Sequence, residues 1–243
     1  MPPRPLPSLA FVLAALALAA CGGAPAAVGG AEADAETGAE AGWTDLFDGE
    51  TLDGWRGYNR ADVPAAWSVA DGEIRFTPGA DGGDLIADGA YDDFELELEW
   101  QLSECGNSGV FYRGEESAAL DAPWRTALEY QLLDDSCNPD GAYPSHRAGA
   151  LYDLYVPTAD VDRPARWNRT RIVADGARIE HWLNGERVVV AEQGGAEWAA
   201  RVAASKFRDG AAFPAYGTRV RGVIGLQDHG DALRVRAVRV RPL

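Results

Sequence analysis

Phe94–Leu102, FELELEWQL, alternates without a fault: Phe94, Leu96, Leu98, Trp100 and Leu102 fall on one row, and Glu95, Glu97, Glu99 and Gln101 on the other. Side chains of a strand alternate between the two faces of its sheet, so this stretch reads as a β-strand with one face in a core and the acidic row in solvent. Similar signals recur on both sides of it. Asp71-Gly72 separates Trp67–Val69 from Glu73–Phe76, Asp175-Gly176 separates Arg169–Ala174 from Arg178–Leu183, and Asn184-Gly185 leads into Glu186–Ala191. Such dipeptides suit the left-handed backbone of two-residue hairpin turns. Further strands are expected at Asp84–Ala87, Asn107–Arg113, Thr126–Asp134, Ala148–Val156, Gly222–Asp228 and Leu233–Val240. In the last of these the apolar phase slips from Leu233 and Val235 to Val238 and Val240, which points to a β-bulge near Ala237. Ala196–Phe207 is the one expected helix. Many short strands with regular turn signals predict an all-β fold, two antiparallel sheets packed as a jelly-roll sandwich with one sheet forming a ligand cleft.

The ends of the chain set its context. Met1–Ala20 carries Arg4 and then an apolar run from Leu9, as a secretory signal does, and is too short for a permanent membrane span. Leu18-Ala19-Ala20-Cys21 resembles a bacterial lipobox, which implies lipid on Cys21, with an ordinary cleaved signal as the alternative. On that reading the protein is an exported bacterial lipoprotein, anchored through lipid alone in the periplasm or at the cell surface. Residues 21–42 form an acidic Gly/Ala-rich tether that cannot bury a core, and residues 43–243 form a single domain. The formal net charge of −16 over 243 residues argues against nucleic acid as a partner. Of the three cysteines, Cys105 and Cys137 remain as a pair for an oxidising compartment, with two free thiols as the alternative.

Thr126–Asp134, TALEYQLLD, carries the chemistry. Leu128, Tyr130 and Leu132 share one row, while Glu129 and Gln131 project together on the other, where they face either a ligand or water. In NSGVFYR, Asn107, Gly109, Phe111 and Arg113 share a row, and Gly109 leaves room for a close approach. His229 follows Asp228 at a strand end and is an acid/base candidate. His181 shares a row with Ile179 and Leu183 and reads equally as a core or cleft-wall histidine or as a catalytic one, and Trp182 on the opposite row reads as core. A divalent metal could draw on the three histidines with Glu129, Asp134 and Asp228, but no spacing matches a metal motif. No nucleophile elbow or phosphate-binding glycine loop is present.

The ordered set LFDGETLDGW, NSGVFYR, LEYQLLDD, AGALYDLY, WNRTRIVADGARIEHWLNG, SKF and IGLQDHGD resembles the bacterial 3-keto-disaccharide hydrolase family, whose members are also described as 3-keto-glycoside 1,2-lyases and 3-keto-2-hydroxyglucal hydratases. The resemblance runs from Trp43 to Leu243, and Cys105 and Cys137 beside two of the motifs are a departure from it. It implies a concanavalin-like jelly roll acting on sugars oxidised at carbon 3. Glu129 would then be the base and His229 or Asp134 the acid, with Arg113 and Gln131 gripping sugar hydroxyls or the enolate oxygen. Asn107, Tyr152, His181, Gln227 and Asp228 would line the cleft. The competing expectation is a non-catalytic carbohydrate-binding module at the cell surface.

Overall fold

The structure, a computed structural model, describes residues 42–161 and 165–243. The expected signal segment, Cys21 and all but the last residue of the expected acidic tether lie outside the described residues. In chain order the strands are β1 (Thr44–Asp45), β2 (Trp55–Gly57), β3 (Trp67–Ala70), β4 (Glu73–Phe76), β5 (Leu85–Ala87), β6 (Phe94–Leu102) and β7 (Asn107–Gly114). They continue as β8 (Leu128–Leu133), β9 (Asn168–Asp175), β10 (Arg178–Leu183), β11 (Glu186–Glu192), β12 (Val223–Leu226) and β13 (Leu233–Pro242), with one helix, α1 (Gly195–Ala204), before β12. They build two antiparallel sheets. One has eight strands, β11-β10-β9-β6-β13-β4-β3 with β1 also on β13, and the other has five in the order β2-β5-β12-β7-β8. The expected all-β sandwich is what forms. Ala148–Val156 is the exception among the expected strands: it makes only isolated bridges, Leu151 to Tyr130 and to Tyr155, before turning away.

The core lies between the sheets. Phe94, Leu96, Leu98 and Trp100 from β6 meet Val110, Tyr112, Leu128 and Tyr130 from β7 and β8, all at most 2% exposed. Burying each such side chain contributes about 1.5–3 kcal/mol. The Trp100 indole donates to Thr170 Oγ1 at 2.9 Å, so its polar atom is also satisfied. At the β3–β4 turn Asp71 and Gly72 both take positive φ, 54° and 75°, as the hairpin signal requires. The bulge in β13 is real: its register against β6 shifts between Arg236 and Arg239, and Ala237 has φ 52°. That extra residue brings Val238 back to the core beside Val235 and lets one edge of β13 pair with β4 first and β1 afterwards.

The acidic row of β6 is not solvated. Glu95 and Glu97 are 3% and 9% exposed because arginines from the flanking strands cover them. Glu97 Oε2 accepts from Arg169 and Arg239, each at 2.7 Å, Glu95 pairs with Arg171 and Arg241, and Glu99 with Arg236. Trp43, Trp167 and Trp182 are stacked into this lattice by Arg239, Arg236 and Arg171, at 4.5, 4.0 and 4.9 Å from guanidinium to ring centre. Trp182 is therefore an outer-face residue, contrary to expectation. Its neighbour His181 takes the core position instead.

Cys105 and Cys137 are disulfide-bonded, joining the loop before β7 to the loop after β8. Among the described residues no helix is long and apolar enough to cross a membrane. Replacing both cysteines by serine is expected to lower unfolding stability by roughly 3–4 kcal/mol, the chain-entropy value for a loop of this length. Urea titration of the variant against the parent measures it.

Candidate functional site

The site is built on the face of the five-stranded sheet that points away from the core. Register places Gly109 of β7 opposite Gln131 of β8, and Phe111 opposite Glu129. With Leu128, Tyr130 and Leu132 committed to the core, Glu129 and Gln131 must project outward together, as the alternation predicted. Gly109 is what makes room for the acid. A Cβ there would stand 2.6 Å from Glu129 Oε1, so the missing side chain is the space the carboxyl occupies. Beside it Gln131 Nε2 donates to Asn107 Oδ1 at 3.0 Å, and the Gln227 backbone N–H donates to Gly109 O at 2.9 Å. Asp84, just before β5, accepts from the Asp228 N–H at 2.9 Å.

Loops bring Tyr152, His146, Lys206 and Tyr216 to the surroundings of Glu129. Gly149 to Tyr152 hydrogen-bonds along the free edge of β8, ending with the Tyr152 N–H on Glu129 O at 3.0 Å. The Tyr152 hydroxyl donates to Asp140, and its ring stacks on His146 at 4.3 Å. His146 lies between Asp140 and Asp153, at 2.9 and 3.2 Å. The helix α1 stops three residues earlier than expected because Ser205 is extended; its hydroxyl then caps a short 3-10 turn, Lys206–Arg208. That turn holds Lys206 Nζ 4.1 Å from the centre of the Tyr152 ring. Tyr216, stacked on Phe207 at 3.6 Å, is buried with its hydroxyl facing the same carboxylate cluster.

Burial raises the pKa of Glu129 to about 7; Lys206 opposes the shift more than any other charge, Asp84 adds to it, and a Gln227 hydrogen bond favours the ionised form. Desolvation also raises half-buried Asp84 to about 7, against the Asp228 N–H that it accepts. Three buried polar atoms around this pair have no partner: Gln131 Oε1, Gln227 Oε1 and the Tyr216 hydroxyl. Each unpaired group costs about 1–3 kcal/mol, which a ligand rich in hydroxyls would recover. Two acids that exchange protons near neutrality, ringed by unsatisfied hydrogen-bonding groups, can move protons on a polar ligand.

Glu129, Gln131, Asn107, Gln227 and Tyr152 thus come together, and other sequence candidates do not join them. Arg113 breaks the alternation of β7: its φ is 55°, and the register against β12 shifts beside it. Its guanidinium turns to Gln193 Oε1 at 2.7 Å and Asp93 at 3.1 Å, both on the other sheet's side. His181 is fully buried between the sheets, its ring nitrogens on the Tyr112 hydroxyl and Gly149 O, and burial lowers its pKa to about 4. Asp134 sits at the disulfide corner. It accepts from the Cys105 N–H, the Ser136 N–H and the Ser136 hydroxyl, and these hold it below the usual carboxylate range against its burial. Asp228 ties the Gly83 and Gly230 N–H groups at the margin, and His229 beyond it is exposed. The proposed metal donors are consequently scattered, and among the described residues no group of three His, Cys, Asp or Glu converges on a metal-sized space. Asp84 and Tyr216 were not singled out from sequence; His146 entered only among the three histidines offered as metal donors, and Lys206 only within the SKF motif, although it is also the single lysine of the chain.

Gly109→Ala is expected to displace the Glu129 carboxyl and to cost about 1–3 kcal/mol in stability, measurable by denaturant unfolding. A second expectation follows from linkage. Folded Glu129 keeps its proton up to about 7 whereas the unfolded side chain releases it near 4, so folding takes up a proton in that window and stability falls as pH rises through it. The unfolding midpoint of Glu129→Gln, relative to the parent, should therefore climb between about pH 5 and about pH 8.

Residues 42–241 match the model of the 3-keto-alpha-glucoside-1,2-lyase-like domain. A 3-keto-disaccharide hydrolase from Bacteroides thetaiotaomicron is 34% identical over 228 residues, covering 83% of this chain and 79% of that protein. Two crystal structures from Parabacteroides distasonis, each provisionally named a glycosyl hydrolase, superpose with TM-scores of 0.75 and 0.63 at 32% and 26% identity. Each covers 83% of this chain, and 94% and 99% of the respective structure. The extent of the match and the identity to a named relative place this chain in the 3-keto-alpha-glucoside-1,2-lyase-like family.

Proposed function

We propose that the face around Glu129 cleaves 3-keto-glycosides by elimination, with hydration of the product giving net hydrolysis. The observation that carries this reading is the buried Glu129 carboxyl, raised to about 7 and surrounded by unpaired Gln131, Gln227 and Tyr216 groups. A ketone at carbon 3 acidifies the hydrogen on carbon 2. Glu129 takes that proton, and the electron pair of the C–H bond moves into an enolate at carbons 2 and 3. The enolate then collapses to a carbon 1–carbon 2 double bond as the glycosidic oxygen leaves carbon 1 with a proton. Water adding across that double bond completes hydrolysis. A base of raised pKa suits the first step, because it holds the proton once taken and is still partly ionised at neutral pH.

Asp84 is the better donor to the departing oxygen. Its raised pKa keeps it substantially protonated near neutrality, whereas Asp134 is held ionised at the disulfide corner. The unpaired amide oxygens and the tyrosine hydroxyl would take hydroxyls of the sugar ring. The named relative, a 3-keto-disaccharide hydrolase, supports the same substrate class. The test is to incubate the purified protein with a 3-keto-glucoside and with its unoxidised parent, following sugar release and enone absorbance. Release from the keto form alone is expected, and Glu129→Gln should abolish it while leaving the fold intact. Saturable binding without turnover would instead identify a carbohydrate-binding module.

A further inference from the structure

Of the 22 lysines and arginines of the chain all but Lys206 are arginine, and Lys206 lies beside Glu129, a buried acid that, among the described residues, no arginine pairs with. Its backbone is pinned, with the N–H donating to Asp153 Oδ2 at 2.7 Å, and its ammonium rests between two rings, 4.1 Å from the centre of Tyr152 and 5.1 Å from that of Phe207. Tyr152 is in turn fixed to the backbone oxygen of Glu129. Among the described residues Lys206 Nζ has these aromatic faces and no carboxylate within ion-pair distance. An exposed ammonium held over aromatic rings, rather than closed onto a carboxylate, keeps its three donors free for an oxygen brought by a ligand. Arginine, the sequence-based choice for that oxygen, is excluded here, since Arg113 is engaged by Gln193 and Asp93.

Resting on the reading that Glu129 removes the hydrogen on carbon 2, we propose that Lys206 Nζ binds the carbon 3 oxygen of the substrate and holds its charge as the enolate forms. Carbon 2 and carbon 3 are bonded neighbours, so the base for one and the cation for the other must stand side by side, as Glu129 and Lys206 do. The contact strengthens from ketone to enolate because a neutral acceptor becomes an oxyanion. It therefore acts on the barrier more than on ground-state binding. The compact, rotatable donor of lysine suits a single oxygen better than the planar fork of arginine, which matches paired oxygens. No bond forms between nitrogen and sugar, and the ammonium keeps its proton throughout, since collapse of the enolate restores the carbon 3 carbonyl without protonating its oxygen.

The test compares Lys206→Met and Lys206→Arg with the parent full-length protein on a 3-keto-glucoside. Lys206→Met should melt as the parent does, since the ammonium is exposed, and should lose about 100-fold or more in kcat with a small change in KM. Lys206→Arg should recover part of the rate. A Lys206→Met variant within about 3-fold of a parent that cleaves the keto sugar overturns the role of Lys206 and leaves the function of the site standing. A parent that leaves the keto sugar intact overturns the substrate reading, and with it the assignment of this oxygen to Lys206. Borohydride added during turnover should leave the Lys206 peptide at its unmodified mass. A sugar adduct there would overturn the non-covalent role in favour of an imine.

Discussion

A carboxyl group taken out of water over a position that has no side chain is the constraint around which this molecule is arranged. Glu129 occupies the volume a Cβ at Gly109 would fill, and its raised pKa is the electrostatic sign of that burial. The surrounding features each keep the arrangement in place. The β7–β8 register sets glycine against the acid-bearing strand, Asn107 orients Gln131, and the segment ending at Tyr152 seals the strand edge. Three buried polar atoms, on Gln131, Gln227 and Tyr216, are left unpaired around this carboxyl, which is the pattern of a site that awaits a ligand.

The eight-stranded sheet solves the opposite problem. Its outer face carries acids and arginines in alternation, and each acid on β6 finds arginine from β9 or β13 within hydrogen-bonding reach. Individually such half-exposed pairs contribute about 0–1 kcal/mol. Collectively they cover the tryptophan rings that would otherwise be exposed on a flat sheet face, and they hold Glu73, Glu97 and Glu180 below the normal carboxylate range. Glu73, Glu97 and Glu180 are thereby kept ionised and paired, unlike Glu129 and Asp84, so the two sheets divide structural from chemical charge.

Much of the fold was legible because alternation and turn chemistry are local. The nine residues of β6, the Asp71-Gly72 turn and the bulge at Ala237 all follow from spacing alone. The same locality explains the projection of Glu129 and Gln131. Alternation misled wherever the backbone left the regular strand. The positive φ of Arg113 turned a predicted ligand group to the other sheet. His181 took the core position that was one of its expected readings, whereas Trp182 lies on the outer face rather than in the core because a row of arginines makes that face able to take an indole. Asp84, Tyr216 and His146 reach the site from distant loops, and no spacing in the chain announces such convergence. Lys206 was visible only as part of the SKF motif and as the single lysine.

The bond between Cys105 and Cys137 has a topological consequence. One cysteine precedes β7 and the other follows β8, so these strands and the loop between them close into a single covalent macrocycle. A slip of β8 by one residue would turn Glu129 and Gln131 into the core and expose Leu128, Tyr130 and Leu132. Within the macrocycle neither end of the strand pair can run free to permit such a slip, so the crosslink guards the orientation of the reactive face as well as the stability of the chain. An oxidising compartment would then be part of how the face is kept pointing outward.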